Sequence, residues 1–267
     1  MFYLAGPIEP THSEDFIKAL EGGIREVVTF PPDVKIVTLT GDYPAFDAIR
    51  IDLTEGRINT ANRPEKPKGV GTGKNEITAG IFQIIAHPLH VDAGRISLDL
   101  SANAVTLRYD VDSSGRQIIL PVSSESGTLK MEIPRADLEV LILARATTAA
   151  AQQGAKITAL ELKLIARSER SLTIDLRVHA KKMMMGGVVH ISGRVDLDDH
   201  LTARLSEMKC EGEGVAGKIA AGFLAPKIKQ VDGRSFPLAD ESLNGLHLRD
   251  LRVTSVDPVR IEGAFGA

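Results

Sequence analysis

Tryptophan is absent from this chain, and cysteine and the other aromatic residues are scarce. With one cysteine, Cys210, the chain can form neither an intramolecular disulfide nor a zinc site built from cysteines. Aromatic residues make up only 4% of the sequence, fewer than a site that stacks bases or sugars would need. No run of apolar residues approaches the roughly 20 that a membrane-spanning helix requires.

The charge and length narrow the class of protein further. The 267 residues carry a formal net charge of −3, which argues against a general nucleic-acid binder. A composition that is 43% hydrophobic and 25% charged indicates one large or two modest globular domains. The first ten residues lack the basic region of an export signal. The sequence alone therefore indicates either a cytoplasmic protein or a chain from which the signal has been removed.

Three patterns in the sequence bear on a possible chemical site. The string GVGTGK at 69–74 fails as a phosphate loop, because Lys68 and Asn75 stand where the motif needs Gly and Ser or Thr. The nucleophile motif G-x-S-x-G is absent. His179 and His190 are expected to face each other, but a metal would need a third ligand, so an ordinary exposed pair is favoured. The sequence therefore predicts no catalytic residue, no metal and no cofactor.

What the sequence does contain is a long apolar helix followed by long strands. Residues 135–154 predict a helix with apolar residues on nearly all sides, which should be largely buried. Gly154 is a natural residue to end it. The segments that follow, within 156–205, alternate apolar and polar residues with period two, so each should be a strand with one apolar face.

The second and third of these strands predict a hairpin with a turn at Met184-Met185. Its predicted register places Asp175 opposite Arg194 and His179 opposite His190, since one opposite-charge pair and the apolar rows both match. The same register places Ile174 opposite Val195 and Leu176 opposite Gly193.

The rest of the chain predicts an α+β protein. Residues 1–12 form a loose lead-in, and 13–267 form a single domain with architectural halves at about 13–133 and 134–267. The first half begins with a helix to about residue 30 and continues as a largely antiparallel meander with a turn near Ala102-Asn103. The second half contains a third helix at 215–231, predicted to have Val215, Ile219, Phe223 and Ile228 on its inner side, and ends in two strands joined at Asp257-Pro258.

The predicted hairpin turn has an unusual composition. Met183, Met184 and Met185 follow Lys181 and Lys182. Flexible methionines beside lysines are typical of a loop that touches an anionic membrane surface. The alternative is that this turn folds against its own domain.

Three segments in order are similar to the LmeA-type phospholipid-binding proteins of the bacterial envelope, which are related to the tubular lipid-binding (TULIP) fold. They are VKIVTLTGDYPAFDAIRIDLTEGRI after the first helix, KMEIPRADLEVLI at the start of the second, and the closing GLHLRDLRVTSVDPVRIEGAF. The resemblance covers most of residues 13–265. It implies a strongly curved antiparallel sheet wrapped around long helices, with an apolar groove for acyl chains between them.

The resemblance implies a phospholipid or another acyl lipid as the ligand, a periplasmic or envelope location, and no catalytic residues. It names no protein partner. The expected lining combines residues of the central helix, the hairpin and the third helix: Leu138, Leu141, Ile142, Ile174, Leu176, Val178, Val189, Ile191, Val195, Ile219 and Phe223. The same residues would equally suit a solid core.

Three functions therefore stay open at the level of sequence. The first is a non-enzymatic lipid carrier with a continuous apolar groove. The second is an envelope structural or interaction protein with a filled core, and the third is an enzyme with an unrecognised site, which would need converging buried polar groups.

Overall fold

The computed structural model describes residues 2–6, 9–62, 73, 75–151, 154–182, 185–238 and 247–266. Among these residues the chain forms two open sheets, which are mainly antiparallel, and three α-helices, so the α+β class is confirmed. The described residues divide into two compact units, one within 2–132, 247–250 and 262–266, the other within 133–238 and 251–261. The curvature of a sheet around long helices, and an apolar groove, stay predictions.

The first unit is built from one helix and a mixed sheet. In chain order its elements are β1 (Phe2–Tyr3), α1 (Ser13–Arg25), β2 (Val37–Asp42), β3 (Ala45–Asp52), β4 (Arg57–Ile58), β5 (Glu76–Val91), β6 (Gly94–Val111), β7 (Gln117–Ser123) and β8 (Ser126–Ile133). Strand order runs β8-β6-β5-β3-β2, with β7 also paired to β6, β1 paired to β7 and β4 to β5. All the pairs are antiparallel except β3 and β4 with β5.

A complete hydrophobic core holds this first unit together. Phe16 and Leu20 of α1 are fully buried, and the Phe16 ring stacks on Phe46 of β3 with centroids 5.5 Å apart. Ile49, Ile51 and Leu107 of the strands share the same cluster. Burying each such side chain stabilises the fold by about 1.5–3 kcal/mol.

Two sequence predictions for this unit are wrong. The first residues are not a loose lead-in, because β1 pairs with β7 and Leu4 lies in the core. A Cβ at Gly23 would overlap the carbonyl oxygen of Tyr3. Gly23 therefore allows the segment that contains Tyr3 to pass directly against α1. The predicted turn at Ala102-Asn103 is instead the middle of β6, at the point where its partner changes from β8 to β7.

The second unit contains an all-antiparallel five-stranded sheet and two helices. Its elements are α2 (Arg135–Ala151), β9 (Lys156–Ser168), β10 (Ser171–Lys182), β11 (Met185–Leu197), β12 (Thr202–Glu213), α3 (Gly214–Val231) and β13 (Ser235–Pro237). Strand order is β13-β12-β11-β10-β9. The chain ends in the hairpin of β14 (Leu248–Val256) and β15 (Val259–Phe265), which contributes residues to both units.

The hairpin of β10 and β11 exists, but its predicted register is wrong by two residues. Asp175 is opposite Ser192 rather than Arg194, and His179 is opposite Val188 rather than His190. Leu176 is opposite Ile191, and Ile174 is opposite Gly193. A slip of two residues keeps every side chain on its predicted face, because the side-chain period of a strand is two.

Helix α3 packs on the sheet through its small residues, which corrects a further prediction. Ala216, Gly217 and Ala221 are buried, whereas Val215, Ile219 and Phe223 are exposed and Ile228 is half-buried. The predicted inner side of this helix is therefore mostly its outer side. A Cβ at Gly217 would overlap the carbonyl oxygen of Val188, so the helix backbone lies directly against β11.

The central helix α2 ends near the predicted residue but is not buried on most sides. Gly154 has φ +66° and its N–H donates to the carbonyl oxygen of Ala151 at 3.0 Å. Within α2 only Asp137 is buried among the residues whose exposure is described, and Val140 is exposed.

The close contact at Gly217 leads to a matched pair of variants in one helix. We expect Gly217→Ala to lower the free energy of unfolding by about 1–3 kcal/mol, because the added Cβ forces α3 away from β11. Gly222→Ala should raise it by about 0.5–1 kcal/mol, because nothing lies within 4 Å of a Cβ there and alanine favours a helix. Denaturant unfolding followed by circular dichroism measures both. Equal effects of the two substitutions would contradict the proposed packing.

Candidate functional site

The apolar face of the β9–β13 sheet is the candidate binding surface of the second unit. Directly opposed residues of β10 and β11 form its centre: Leu172 with Val195, Ile174 with Gly193, Leu176 with Ile191, and Val178 with Val189. β9 extends it through Leu160, Leu162 and Leu164, which pair with the same residues of β10. Period-two alternation in all three strands brings these side chains to one face.

Burial changes along this face. At the end near Gly187 the face is closed, with Val178 9% and Val189 3% exposed. Further along, Ile174, Leu176, Ile191 and Val195 are only half-buried. The described residues thus present a contiguous aliphatic surface that is only partly shielded from water.

The two helices of this unit pack against different strands of the sheet. Helix α3 packs against β12 and the central strand β11, with fewer contacts to β10, and α2 packs along β9. Glu139 of α2 accepts a hydrogen bond from the backbone N–H of Leu162 at 3.3 Å, which satisfies a donor on the outer edge of β9. No pattern in the sequence indicates this role of Glu139, because its partner is a backbone group distant along the chain.

The predicted lining residues fall into three groups. Those of β10 and β11 share the face just described. Leu138, Leu141 and Ile142 are half-buried on α2. Ile219 and Phe223 are 45% and 73% exposed on the outer side of α3, away from the sheet on which the helix packs. Lipid contact at all three groups stays a prediction.

The opposite face of the sheet is polar and pairs each histidine with its own carboxylate. His190 Nε2 lies 2.9 Å from Asp175 Oδ1, and His179 Nε2 lies 3.2 Å from Glu161 Oε1. Across the residues that the structure describes, no cluster of three or more His, Cys, Asp or Glu side chains could hold a metal ion. Asp198 instead closes a turn, accepting hydrogen bonds from the N–H groups of His200 and Thr202.

Asp196 on this polar face joins three neighbouring strands. Its carboxylate accepts hydrogen bonds from the Ser171 hydroxyl at 2.6 Å and from Arg194 Nε at 2.8 Å, and Ser206 lies 3.4 Å away. The Ser171 hydrogen bond, followed by the bond and charge of Arg194, lowers the pKa of Asp196 below its ordinary value, although partial burial opposes the shift. Its protonation state is therefore coupled to the stability of the sheet.

Two further candidates for chemistry prove unremarkable. Cys210 is opposite Ile191 on the apolar face, and burial raises the pKa of its thiol, which disfavours the reactive thiolate. An open cleft of about 430 Å³ is lined by Ser168, Glu169, Arg170 and Arg252. Its arginines contact carboxylates, Arg170 with Asp199 at 2.6 Å and Arg252 with Glu169 at 3.6 Å.

The predicted membrane-touching turn lies largely outside the described residues. Met183 and Met184 are outside them, as are the side chains of Lys182 and Met185. Lys181 is exposed at the end of β10. Membrane contact by this turn stays a prediction.

Within the described part of the chain, none of the helices combines the length and apolar character needed to cross a bilayer. We compared the chain with protein-family models, with curated proteins and with solved structures, and none of these three comparisons gave a match.

The environment of Asp196 predicts how acid affects the second unit. Because its pKa is lower in the folded protein than in the unfolded chain, its contribution is complete above the ordinary value of 3.8 and is lost as the pH falls through the lowered value. We therefore expect Asp196→Asn to destabilise the protein at pH 7, and the difference from the unmodified protein to shrink below about pH 4. Urea unfolding at several pH values measures this difference. A difference that does not change with pH would contradict the assignment.

Proposed function

We propose that this protein binds a phospholipid without catalysing a reaction, and that the acyl chains lie against the apolar face of the β9–β13 sheet. The observation that carries the proposal is the half-buried state of Ile174, Leu176, Ile191 and Val195. These residues are contiguous and wholly aliphatic, and they remain partly open to water.

The energetics of such a surface favour a flexible apolar ligand. Each methylene that moves from water to an apolar environment contributes about 0.8 kcal/mol, so even part of an acyl chain would bind appreciably. A surface made of branched aliphatic side chains without polar groups selects for apolarity rather than for a particular shape. This property suits acyl chains better than a small polar substrate.

The choice of a phospholipid among acyl lipids depends on the resemblance to the LmeA-type proteins. By the same resemblance, we propose that the protein acts in the cell envelope and supports lipid metabolism there. The polar groups described above do not converge at the apolar face, because the alternation of the strands places them on the opposite side of the sheet.

The direct test is to extract the purified protein with organic solvent and identify lipids by mass spectrometry, with an unrelated protein from the same host as the control. We expect a phospholipid close to stoichiometric with the protein. If no lipid is enriched, and none is acquired on incubation with liposomes, then the sheet face is a packing surface and the proposal is wrong.

Two adjacent residues of β10 provide a matched pair of variants. Leu176→Asn places an amide on the apolar face and should reduce the bound phospholipid roughly tenfold, since it removes aliphatic contact and adds a polar group to be desolvated. Arg177→Asn places the same amide on the polar face, where the side chain is exposed, and should leave the lipid content unchanged. Circular dichroism establishes that both variants fold. Equal lipid content in the two variants would exclude this face as the binding site.

A further inference from the structure

The outer side of α3 carries an apolar stripe that nothing in the described structure covers. Val215, Ile219 and Phe223 follow one another at intervals of four residues and are 58%, 45% and 73% exposed. This spacing places them on one side of a helix with 3.6 residues per turn. Phe223 is the most exposed large hydrophobic side chain among the described residues.

The packing of the helix prevents this stripe from turning inward. Gly217 lies so close to Val188 and Gly212 that a Cβ at either glycine would overlap backbone atoms of its neighbour. A rotation of α3 that buried Ile219 would bring a larger side chain to the contact that Gly217 makes with β11. The exposure of the stripe therefore follows from the fold of the second unit.

The charges on α3 are of one sign. Residues 214–231 contain Lys218, Lys227 and Lys229 and no acidic residue, although the chain as a whole carries a net charge of −3. All three lysines are exposed. At 100° per residue, Lys218 and Lys229 lie on one side of the apolar stripe and Lys227 on the other. The carboxylates nearest to the helix in the sequence are those of Glu213 and Asp232, just beyond its two ends.

We propose that the outer side of α3 docks onto an anionic bilayer surface. The apolar stripe enters the boundary between headgroups and acyl chains, and the flanking lysines contact the anionic headgroups. A helix with an aromatic and aliphatic stripe bordered by lysines has the character of an interfacial helix, which lies in the plane of the membrane. The surface is distinct from the sheet face proposed to hold an acyl chain, because the two lie on opposite sides of α3.

The test is flotation of the protein with vesicles of phosphatidylcholine alone and of phosphatidylcholine mixed with phosphatidylglycerol. We expect stronger binding to the anionic vesicles, weakened by added salt. The double variant Ile219→Ser, Phe223→Ser should bind roughly tenfold or more weakly, because two exposed apolar side chains are removed. The triple variant Lys218→Gln, Lys227→Gln, Lys229→Gln should lose the preference for anionic vesicles.

The matched control is Ile81→Ser. Ile81 of β5 is 43% exposed, almost the same as Ile219, and its strand contains no lysine. It should leave vesicle binding unchanged. If the unmodified protein does not float with anionic vesicles, or if the double variant floats equally well, the proposal is wrong. Self-association that the double variant abolishes, without any vesicle binding, would assign the stripe to a second copy of the chain and also overturn the proposal.

A gain-of-signal variant covers the case in which the serine variants fail to fold. The chain contains no tryptophan, so Phe223→Trp introduces a single indole at the most exposed position of the stripe. Its emission should shift to shorter wavelength with anionic vesicles, whereas the indole of Ile81→Trp should not respond. An unchanged emission from Phe223→Trp would contradict insertion of this helix.

The two proposals fail separately in these experiments. Leu176→Asn should lose co-purified phospholipid and still float with anionic vesicles. The double variant of α3 should retain its phospholipid and fail to float. If the unmodified protein floats but contains no lipid, the docking surface stands without the proposed binding face.

Discussion

The contact between the backbones of α3 and β11 decides what the second unit presents to its surroundings. Gly217 and Gly187 allow the helix to approach so closely that no side chain fits between them. Small residues are therefore used on the side of the helix that faces the sheet, and the large apolar residues are left on the other side. Both proposed surfaces follow from this contact, because it fixes which part of the sheet α3 covers and which side of α3 faces outward.

The two units differ in how completely they bury their apolar residues. In the first, α1 and the strands enclose a cluster in which Phe16, Leu20 and Ile49 have no exposure to water. In the second, the central residues of β10 and β11 are only half-buried. Closing such a surface would add to the marginal stability of a folded protein, and this unused burial is the reason that we propose the face as a binding surface.

The sequence predicted the faces of the strands better than their partners or the orientation of the helices. Alternation in β10 and β11 identified which side chains share a face, since the period of two survives a slip of two residues. The register itself was wrong because the prediction paired Asp175 with Arg194. Arg194 instead contacts Asp196 of its own strand and Glu207 of β12. Such choices among several nearby carboxylates depend on geometry that a single sequence does not contain.

The orientation of α3 could have been predicted from residue size instead of hydrophobicity. Alanine and glycine at 216, 217, 220 and 221 recur with the spacing of one helix face, which is a signal for close packing. The larger apolar residues were assigned to the inner side on the usual assumption that apolar residues are buried. The failure of that assumption here is what distinguishes this helix from one that only completes a core.

The position of Phe265 has a consequence for how the protein is made. Its ring packs against Gly127 within the core of the first unit, yet the whole second unit lies between these residues in the sequence. A ribosome must therefore synthesise the second unit before the first can complete its core. During translation the first unit exists as an incomplete structure with an open hydrophobic gap, which is the kind of intermediate that chaperones recognise.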